Sequence, residues 1–256
     1  MDKSSQRWDV GHEKTPTVVF DGDTANISEL RDFRYECNGG HEANWRQRTV
    51  NLAETTSVDF IVVPFSKDSS LAHTMVSFGF ANGSHLAISV EARRRKGQPY
   101  SIWKGQFGAF PLMYVIADER DCIGHRVDCY DYDVHLYRSA ATPEESRTFL
   151  TAMLRRANAL TESSEKYNTL FNNCLTNLRS HVNSIWPRRI PWGWGVLFTG
   201  HADHLAYNLG ILNSNDSFRS LHDQANISPL AKGNGHRDDY SCWIRSGLPP
   251  EAQCLH

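Results

Sequence analysis

The sequence predicts an α+β domain in which an antiparallel sheet packs against helices. Apolar runs of strand length fill the first half of the chain, two of them are joined by a hairpin turn, and two amphipathic helical patterns follow. With 256 residues, 40 % of them hydrophobic, the chain can bury one substantial core. We expect residues 1–16 to be a loose lead-in, residues 17–250 to form a single domain, and residues 251–256 to be a tail.

The first predicted strands are short and bounded by turn residues. Residues 17–27 have the pattern of a strand, an Asp-Gly-Asp turn and a second strand. Residues 57–65 form a continuous apolar run, which is typical of a buried strand. Further strands are expected at 111–119 and 131–138.

The hairpin at 73–92 constrains its own register. Its Ala-Asn-Gly turn permits a two-residue turn at Asn82-Gly83 or a three-residue loop with Gly83 left-handed. The two registers differ by one residue, and such a slip moves every side chain to the opposite face. The three-residue loop keeps one face apolar, so we prefer it. In that register His73 lies directly across from Glu91.

Two helices are predicted after the strands. Residues 142–160 carry Thr142 as a cap, a proline in the first turn, and Glu145 to complete a capping box. The second helix runs from about 174 to 186, with an apolar stripe at Leu175, Leu178, Val182 and Ile185. Beyond it lies an extension rich in Trp and Gly, with a short helical segment near 201–210.

Composition argues against several classes of protein. The net charge is -2, and we interpret the basic cluster at 93–96 as a solvated strand end, so we expect no nucleic-acid partner. No apolar stretch reaches the roughly 18 residues of a membrane span. We predict no cofactor.

Six cysteines are too few in a chain of this length to be its main framework. Cys122 and Cys129 are candidates for a disulfide if the compartment is oxidising. With His125 between them they also form a weaker candidate for a metal site, and we predict no metal centre.

Cys174 is the candidate nucleophile because it lies at the polar entrance of the second helix. Asn172 or Asn173 can cap that helix, which places Cys174 in the first turn. The helix dipole and free N–H groups there favour a thiolate, and they can also hold an oxyanion. The alternative is a small buried residue at a helix start. The predicted pair of His73 and Glu91 favours a Cys–His–carboxylate set instead.

Five further residues are expected to contact substrate: Ser89, Tyr167, Asn173, Trp192 and Trp194. Ser89 shares the face of His73 in the preferred register and either supports it or is an ordinary strand serine. The segment at 186–198 either packs on the core or faces a membrane surface. If the segment faces a membrane, we expect its tryptophans to lie at the lipid–water interface and Arg188 and Arg189 to contact phospholipid headgroups.

Several long strings resemble the Lnb N-terminal periplasmic domain family. They are RDFRYECNGG (31–40), DFIVVPF (59–65), AHTMVSFGFANGSHLAISVEARRRKGQPYS (72–101), YVIADERD (114–121) and YNTLFNNCLTNL (167–178). YSCWIRSGLP (240–249) resembles that family's closing segment, so the similarity covers nearly the whole chain. The order of histidine, carboxylate and cysteine at a helix start also resembles circularly permuted papain-like (NlpC-type) thiol enzymes, including lecithin:retinol acyltransferase relatives.

The resemblance implies a periplasmic domain tethered to the bacterial inner membrane. The family's named member class transfers a fatty acyl chain from a phospholipid to the α-amino group of a lipoprotein's lipid-modified N-terminal cysteine. Carried over, Cys174 forms the thioester, His73 is the base and Glu91 orients it. Such acyltransferases are expected to have membrane helices, so we expect either an anchor in a segment absent from this sequence or a shorter relative with another acyl or peptidyl substrate. The alternatives are a cysteine peptidase or amidase acting on envelope peptides, and a catalytically silent binding module.

Overall fold

The computed structural model describes residues 8–66, 70–99, 105, 108–186, 190–193, 199–249 and 254. The strands are β1 (Thr17–Asp21), β2 (Thr24–Arg31), β3 (Arg34–Tyr35), β4 (His41–Glu42), β5 (Trp45–Asn51), β6 (Thr55–Pro64), β7 (Ala72–Phe80), β8 (His85–Ala92), β9 (Leu112–Ala117) and β10 (His135–Arg138). The main sheet has the order β1-β2-β9-β8-β7-β6-β10, with β5 paired to β2. Only the β2–β9 pairing in it is parallel. The fold is therefore α+β with a mostly antiparallel open sheet, while its permuted papain-like character stays a prediction.

The helices are α1 (Pro143–Glu162), α2 (Cys174–Ile185), α3 (Ala202–Asn208), α4 (Phe218–Ala225), α5 (Ser228–Ala231) and α6 (Tyr240–Trp243), with a π-helix at Arg120–Cys129 and 3₁₀ turns at Leu52–Glu54 and Thr199–His201. The two long helices confirm the sequence prediction. In α1, Thr142 caps the helix and Glu145 closes the capping box. The π-helix, α4, α5 and α6 were not predicted, because their short segments carry no extended apolar period.

The hairpin of β7 and β8 has the predicted register. Met75 pairs with Ser89, and Gly79 pairs with His85. Gly83 has a φ of 77°, as the three-residue loop requires. The expected strand at 131–138 is shorter, because the left-handed backbone of Asp131 (φ 53°) interrupts the extended chain before β10.

Alternation along the strands gives the sheet two buried faces. Val76, Phe78 and Ile88 face α1 and α2 on one side, which we call the α2 face. Met75 and Ala87 face the π-helix, α5 and α6 on the other side, which we call the π-helix face.

A buried ion network holds the C-terminal helix against the π-helix face. The guanidinium of Arg245 donates to Asp59 at 2.8 and 3.1 Å and to Glu119 at 2.6 and 2.9 Å. The three side chains are almost fully buried. Charges removed from water in this way are tolerated only when they are paired and hydrogen-bonded, so the network fixes α6 in one position.

The cysteines pair differently from the sequence expectation. Disulfides join Cys37 to Cys129 and Cys242 to Cys254. Cys122 is a free thiol, because it projects from the π-helix into the core. The proposed pair of Cys122 and Cys129 is therefore wrong. His125, proposed as a possible metal ligand with them, stacks on the ring of Tyr35, with centroids 3.8 Å apart.

The lead-in also departs from the expectation in its described part. Trp8 forms an isolated β-bridge with Arg95, and the side chain of His12 is buried. Residues 8–16 are thus packed on the domain rather than loose. Residues 1–7 lie outside the described residues.

Candidate active site

Cys174 is the first residue of α2, as predicted. Asn173 caps the helix: its side-chain oxygen accepts from the N–H of Thr176 at 2.8 Å, and the Thr176 hydroxyl accepts from the N–H of Asn173 at 2.8 Å. The side-chain nitrogen of Asn173 donates to the carbonyl of Thr169 at 2.6 Å. Both ends of this amide are therefore used by the fold. Asn173 also lines the cavity described below, so its contact with a substrate stays a prediction.

The thiol of Cys174 is buried, with 5 % of the residue exposed. Burial raises its pKa above the ordinary value, and the neighbouring polar groups of Thr74, on strand β7, and of the Leu175 and Cys174 backbone oppose the shift without reversing it. The prediction of a lowered thiol pKa is therefore wrong for this conformation. Sequence reasoning weighed the helix terminus but not the desolvation of the sulfur.

A hydrogen-bonded relay links the predicted base to the predicted carboxylate. Nε2 of His73 lies 2.7 Å from the hydroxyl of Ser89, and that hydroxyl donates to Oε1 of Glu91 at 3.0 Å. The direct distance from Nε2 to Oε1 is 4.0 Å, which is too long for a hydrogen bond. Ser89 is fully buried between its two partners and is absent from the cavity lining described below. It thus connects the pair and does not contact substrate, which corrects its assignment.

The relay fixes the tautomer of His73. The pKa of Glu91 lies well below its usual range: burial would raise it, but the hydrogen bond from His12 and the guanidinium groups of Arg31 and Arg126 outweigh that effect. A carboxylate only accepts, so the Ser89 hydroxyl must donate to it and accept from Nε2–H of His73. The lone pair of the neutral ring is then on Nδ1. Burial, followed by the charge of Arg126, lowers the pKa of His73 to about 3. The ring is therefore a neutral base at any physiological pH.

Two residues that sequence reasoning missed also contact Glu91. Arg126 approaches Oε1 at 3.4 Å from the π-helix, and Nε2 of His12 approaches Oε2 at 3.3 Å from the N-terminal segment. Neither residue lies in a recognisable motif. Both reach Glu91 through contacts that are distant in sequence.

Cys174 and the relay border one cavity at the end of the sheet where β7 begins and β8 ends. Its volume is about 940 Å³, and its walls include Cys174, Asn173, Tyr167, His73, Glu91, His12 and Arg126. Tyr167 thus lies where a substrate contact was predicted. The β3–β4 segment and the end of the π-helix form another wall, with Tyr35 and Tyr130. The disulfide between Cys37 and Cys129 ties these two elements together.

The base and the thiol approach this cavity from opposite faces of β7. Thr74, which contacts the thiol, points to the α2 face, whereas His73 points with Ser89 and Glu91 to the π-helix face. Among the described residues, no hydrogen bond joins the imidazole of His73 to the sulfur of Cys174. The predicted residues therefore share a cavity, but the thiol–imidazole contact is not made in this conformation.

The two tryptophans predicted to contact substrate are not found in that cavity: Trp192 lies outside it, and Trp194 is outside the described residues. Trp192 is 53 % exposed, and its ring lies 6.3 Å edge-on from that of Phe171, which is 65 % exposed. The guanidinium of Arg179 lies 4.7 Å from the centroid of Trp192. Trp194, Arg188 and Arg189 are outside the described residues.

Comparisons with known proteins identify a family. The model described as the Lnb N-terminal periplasmic domain matches residues 41–200, which is more than half of the chain and includes His73, Glu91 and Cys174. Searches of curated proteins and of solved structures returned no match. Within the residues that the structure describes, no helix is both long and apolar enough to cross a bilayer. The chain belongs to the Lnb N-terminal periplasmic domain family.

Proposed function

We propose that this domain is a thiol-dependent acyltransferase of the bacterial cell envelope, with Cys174 as the nucleophile. The observation that carries the proposal is the shared cavity, which is bordered by the first-turn Cys174 and by His73 and Glu91, two residues that the buried hydroxyl of Ser89 connects. A relay of this polarity leaves a neutral imidazole with its lone pair on Nδ1, as a general base needs. Its resting pKa of about 3 makes it a weak base, so closure against the thiol must raise that pKa before the proton is transferred. By family, the donor is a phospholipid and the acceptor is the α-amino group of a lipoprotein.

The proposed reaction has two steps. Nδ1 of His73 takes the thiol proton while the sulfur of Cys174 attacks the ester carbonyl, and N–H groups of the first turn of α2 hold the oxyanion. The C–O bond breaks, His73 protonates the departing lysophospholipid alkoxide, and a thioester remains. The acceptor amine then attacks that thioester, the C–S bond breaks, and the amine proton returns through His73 to the thiolate. Because no hydrogen bond joins the base to the thiol at rest, the first step requires the start of α2 and the start of β7 to close together.

The fatty acyl chain of the donor fits the cavity beside Cys174 better than a second, smaller cavity of the domain. That second cavity is apolar and lies along α2, with Leu175, Leu178 and Val182 in its wall, but its volume is about 70 Å³. A pocket of roughly 150 Å³ is needed to hold even a benzene ring. A fatty acyl chain therefore enters the apolar cavity only if its side chains move apart.

We further propose that the exposed group formed by Leu170, Phe171 and Trp192 faces the membrane surface. Leu170 and Phe171 belong to the loop that leads into Cys174, and Trp192 lies against Phe171. Arg179 beside Trp192 supplies a cation for anionic headgroups. Two half-exposed aromatic rings offer about 200 Å² of apolar area, worth roughly 5 kcal/mol at about 25 cal/mol per Å². That suffices for transient docking. Titration with anionic vesicles should shift the tryptophan emission, and Trp192→Ala with Phe171→Ala should abolish the shift.

Intact-mass analysis after incubation with phospholipid vesicles tests the acyl-transfer proposal. We expect one acyl mass on Cys174, its transfer to an added lipopeptide amine, and no adduct on Cys174→Ala. The Cys122→Ala variant is the matched control, because Cys122 is the other free thiol and does not line the cavity.

A cysteine peptidase or amidase is the second candidate. Charged groups in the large cavity, including Glu91, Arg94 and Arg126, suit a peptide better than a bare acyl chain. Cleavage of envelope peptides without an acyl adduct would favour this candidate. Absence of both activities would leave the silent binding module.

A further inference from the structure

We infer that residues 8–13, called the strap below, carry a positioning residue for the relay, namely His12. The inference rests on the proposed role of the relay as the base of Cys174 chemistry. The strap lies outside residues 41–200 and therefore outside the part of the chain that the family model matches.

The strap is held against the chain that leaves β8, immediately beyond Glu91. The guanidinium of Arg93 lies 4.0 Å from the ring centroid of Trp8 and donates to the carbonyl of His12 at 2.9 Å. The N–H of Asp9 donates to the carbonyl of Arg94 at 3.0 Å, and the carboxylate of Asp9 pairs with the Arg94 guanidinium at 2.9 Å. The basic cluster that the sequence suggested as a solvated strand end thus fastens the strap.

These contacts fix the tautomer of His12 as well. The N–H of Arg94 donates to Nδ1 of His12 at 2.8 Å, so a neutral ring carries its proton on Nε2. That nitrogen lies 3.3 Å from Oε2 of Glu91. Oε1 of the same carboxylate is held by Ser89 and Arg126. His12 therefore supplies the contact that restrains the second oxygen and prevents the carboxylate from rotating away from Ser89.

The charges around Glu91 explain why the role is positional. Four groups act on the carboxylate from four elements: His73 from β7, Arg126 from the π-helix, Arg31 from β2 and His12 from the strap. The guanidinium groups of Arg126 and Arg31 stay beside Glu91 when the His12 donor is lost, and both favour the ionised carboxylate. Loss of the His12 donor should therefore loosen the carboxylate rather than neutralise it, and the tautomer of His73 should no longer be fixed.

Two substitutions separate attachment of the strap from donation to Glu91. His12→Asn keeps an oxygen near the Nδ1 position to accept from Arg94, but it has no donor near the Nε2 position. His12→Gln carries an amide N–H at about the reach of Nε2. A role limited to attachment of the strap is kept by Asn and weakened by Gln, whereas a positioning role is rescued by Gln alone.

The first readout does not depend on any activity. Ring ¹⁵N chemical shifts of His73 should show the single Nε2–H tautomer in the wild-type protein and in His12→Gln, and a mixture of tautomers in His12→Asn. Equal spectra for the two variants would overturn the inference, even if acyl transfer is later demonstrated.

The second readout is the rate of acyl addition to Cys174. We expect His12→Asn to lower the maximal rate about 10- to 100-fold, the effect of losing one hydrogen bond to a charged group, with the half-saturating phospholipid concentration unchanged. His12→Gln should stay within about threefold of wild type. If no acyl adduct forms in any variant while the tautomer of His73 still responds to His12, the proposed function fails and the positioning role stands.

Discussion

Replacing Ser89 by alanine removes the hydroxyl that joins His73 to Glu91. The side chains it connects are 4.0 Å apart, beyond hydrogen-bonding range, so the two bonds at 2.7 and 3.0 Å are lost together. One of them is donated to an ionised carboxylate, and its loss also leaves the buried Nε2–H of His73 without a partner. Together these effects should lower the free energy of unfolding by about 2–4 kcal/mol.

Ser77→Ala is the matched control for this substitution. Ser77 is fully buried on the same face of the sheet, on the neighbouring strand β7, and its hydroxyl has no hydrogen-bond partner among the described residues. Removing an unsatisfied buried hydroxyl should be neutral or stabilising by up to about 1 kcal/mol. The two variants make the same chemical change in similar surroundings and differ in the partners lost.

Urea unfolding at pH 7 with the disulfides intact measures the difference in unfolding free energy between Ser89→Ala and Ser77→Ala. The comparison requires that the unfolding free energies of the two variants depend equally on denaturant concentration. The rate of Cys174 acylation should fall in Ser89→Ala and remain unchanged in Ser77→Ala. If the two unfolding free energies agree within about 0.5 kcal/mol, the Ser89 relay does not contribute to stability and the reasoning is wrong.

Three other measurements follow from the buried groups. Arg245→Met leaves the buried carboxylate of Glu119 without its guanidinium partner, whereas Asp59 keeps its ion pair with Arg138 at 2.6 Å. The substitution should cost about 3–5 kcal/mol in urea unfolding, and a loss under 1 kcal/mol would contradict the network. Alkylation of the folded protein should modify Cys174 slowly and faster as the pH rises, because burial raises the pKa of its thiol. Burial raises the pKa of Cys122 to about 12 and should protect that thiol until the protein unfolds. Burial lowers the pKa of His73 to about 3 and that of His85 to about 4. Between those values and about pH 6.5 the unfolded chain binds more protons than the folded protein, so the free energy of unfolding should fall as the pH decreases, by at most about 1.4 kcal/mol per pH unit for each histidine. His85→Gln should reduce this pH dependence.

The parts of the site that are predictable from sequence are those fixed by local rules. The hairpin register follows from the turn at Gly83 and the need for one apolar face, and it placed His73, Ser89 and Glu91 on the same face. The start of α2 follows from the cap at Asn173. Each of these rules acts over a few residues, so one sequence suffices to apply it.

The parts that were missed depend on contacts between distant segments. His12 reaches Glu91 only because the strap packs beside the end of β8, and Cys129 pairs with Cys37 across 92 residues. The raised pKa of the Cys174 thiol comes from the depth at which α2 packs on the sheet, which a cap motif does not specify. Burial and long-range pairing are properties of the assembled fold.

The resting arrangement of the thiol suits an oxidising compartment. A cysteine whose thiolate is exposed is open to disulfide exchange, and the two formed disulfides show that this chain pairs cysteines readily where they meet. Cys174 avoids that outcome because it is buried and its pKa is raised, so its sulfur stays protonated. The neutral imidazole of His73 lies on the opposite face of β7, and its hydrogen bond to Ser89, which donates to Glu91, fixes its tautomer. In the proposed reaction, closure of the cavity around the substrate would bring the oriented imidazole of His73 to the buried thiol.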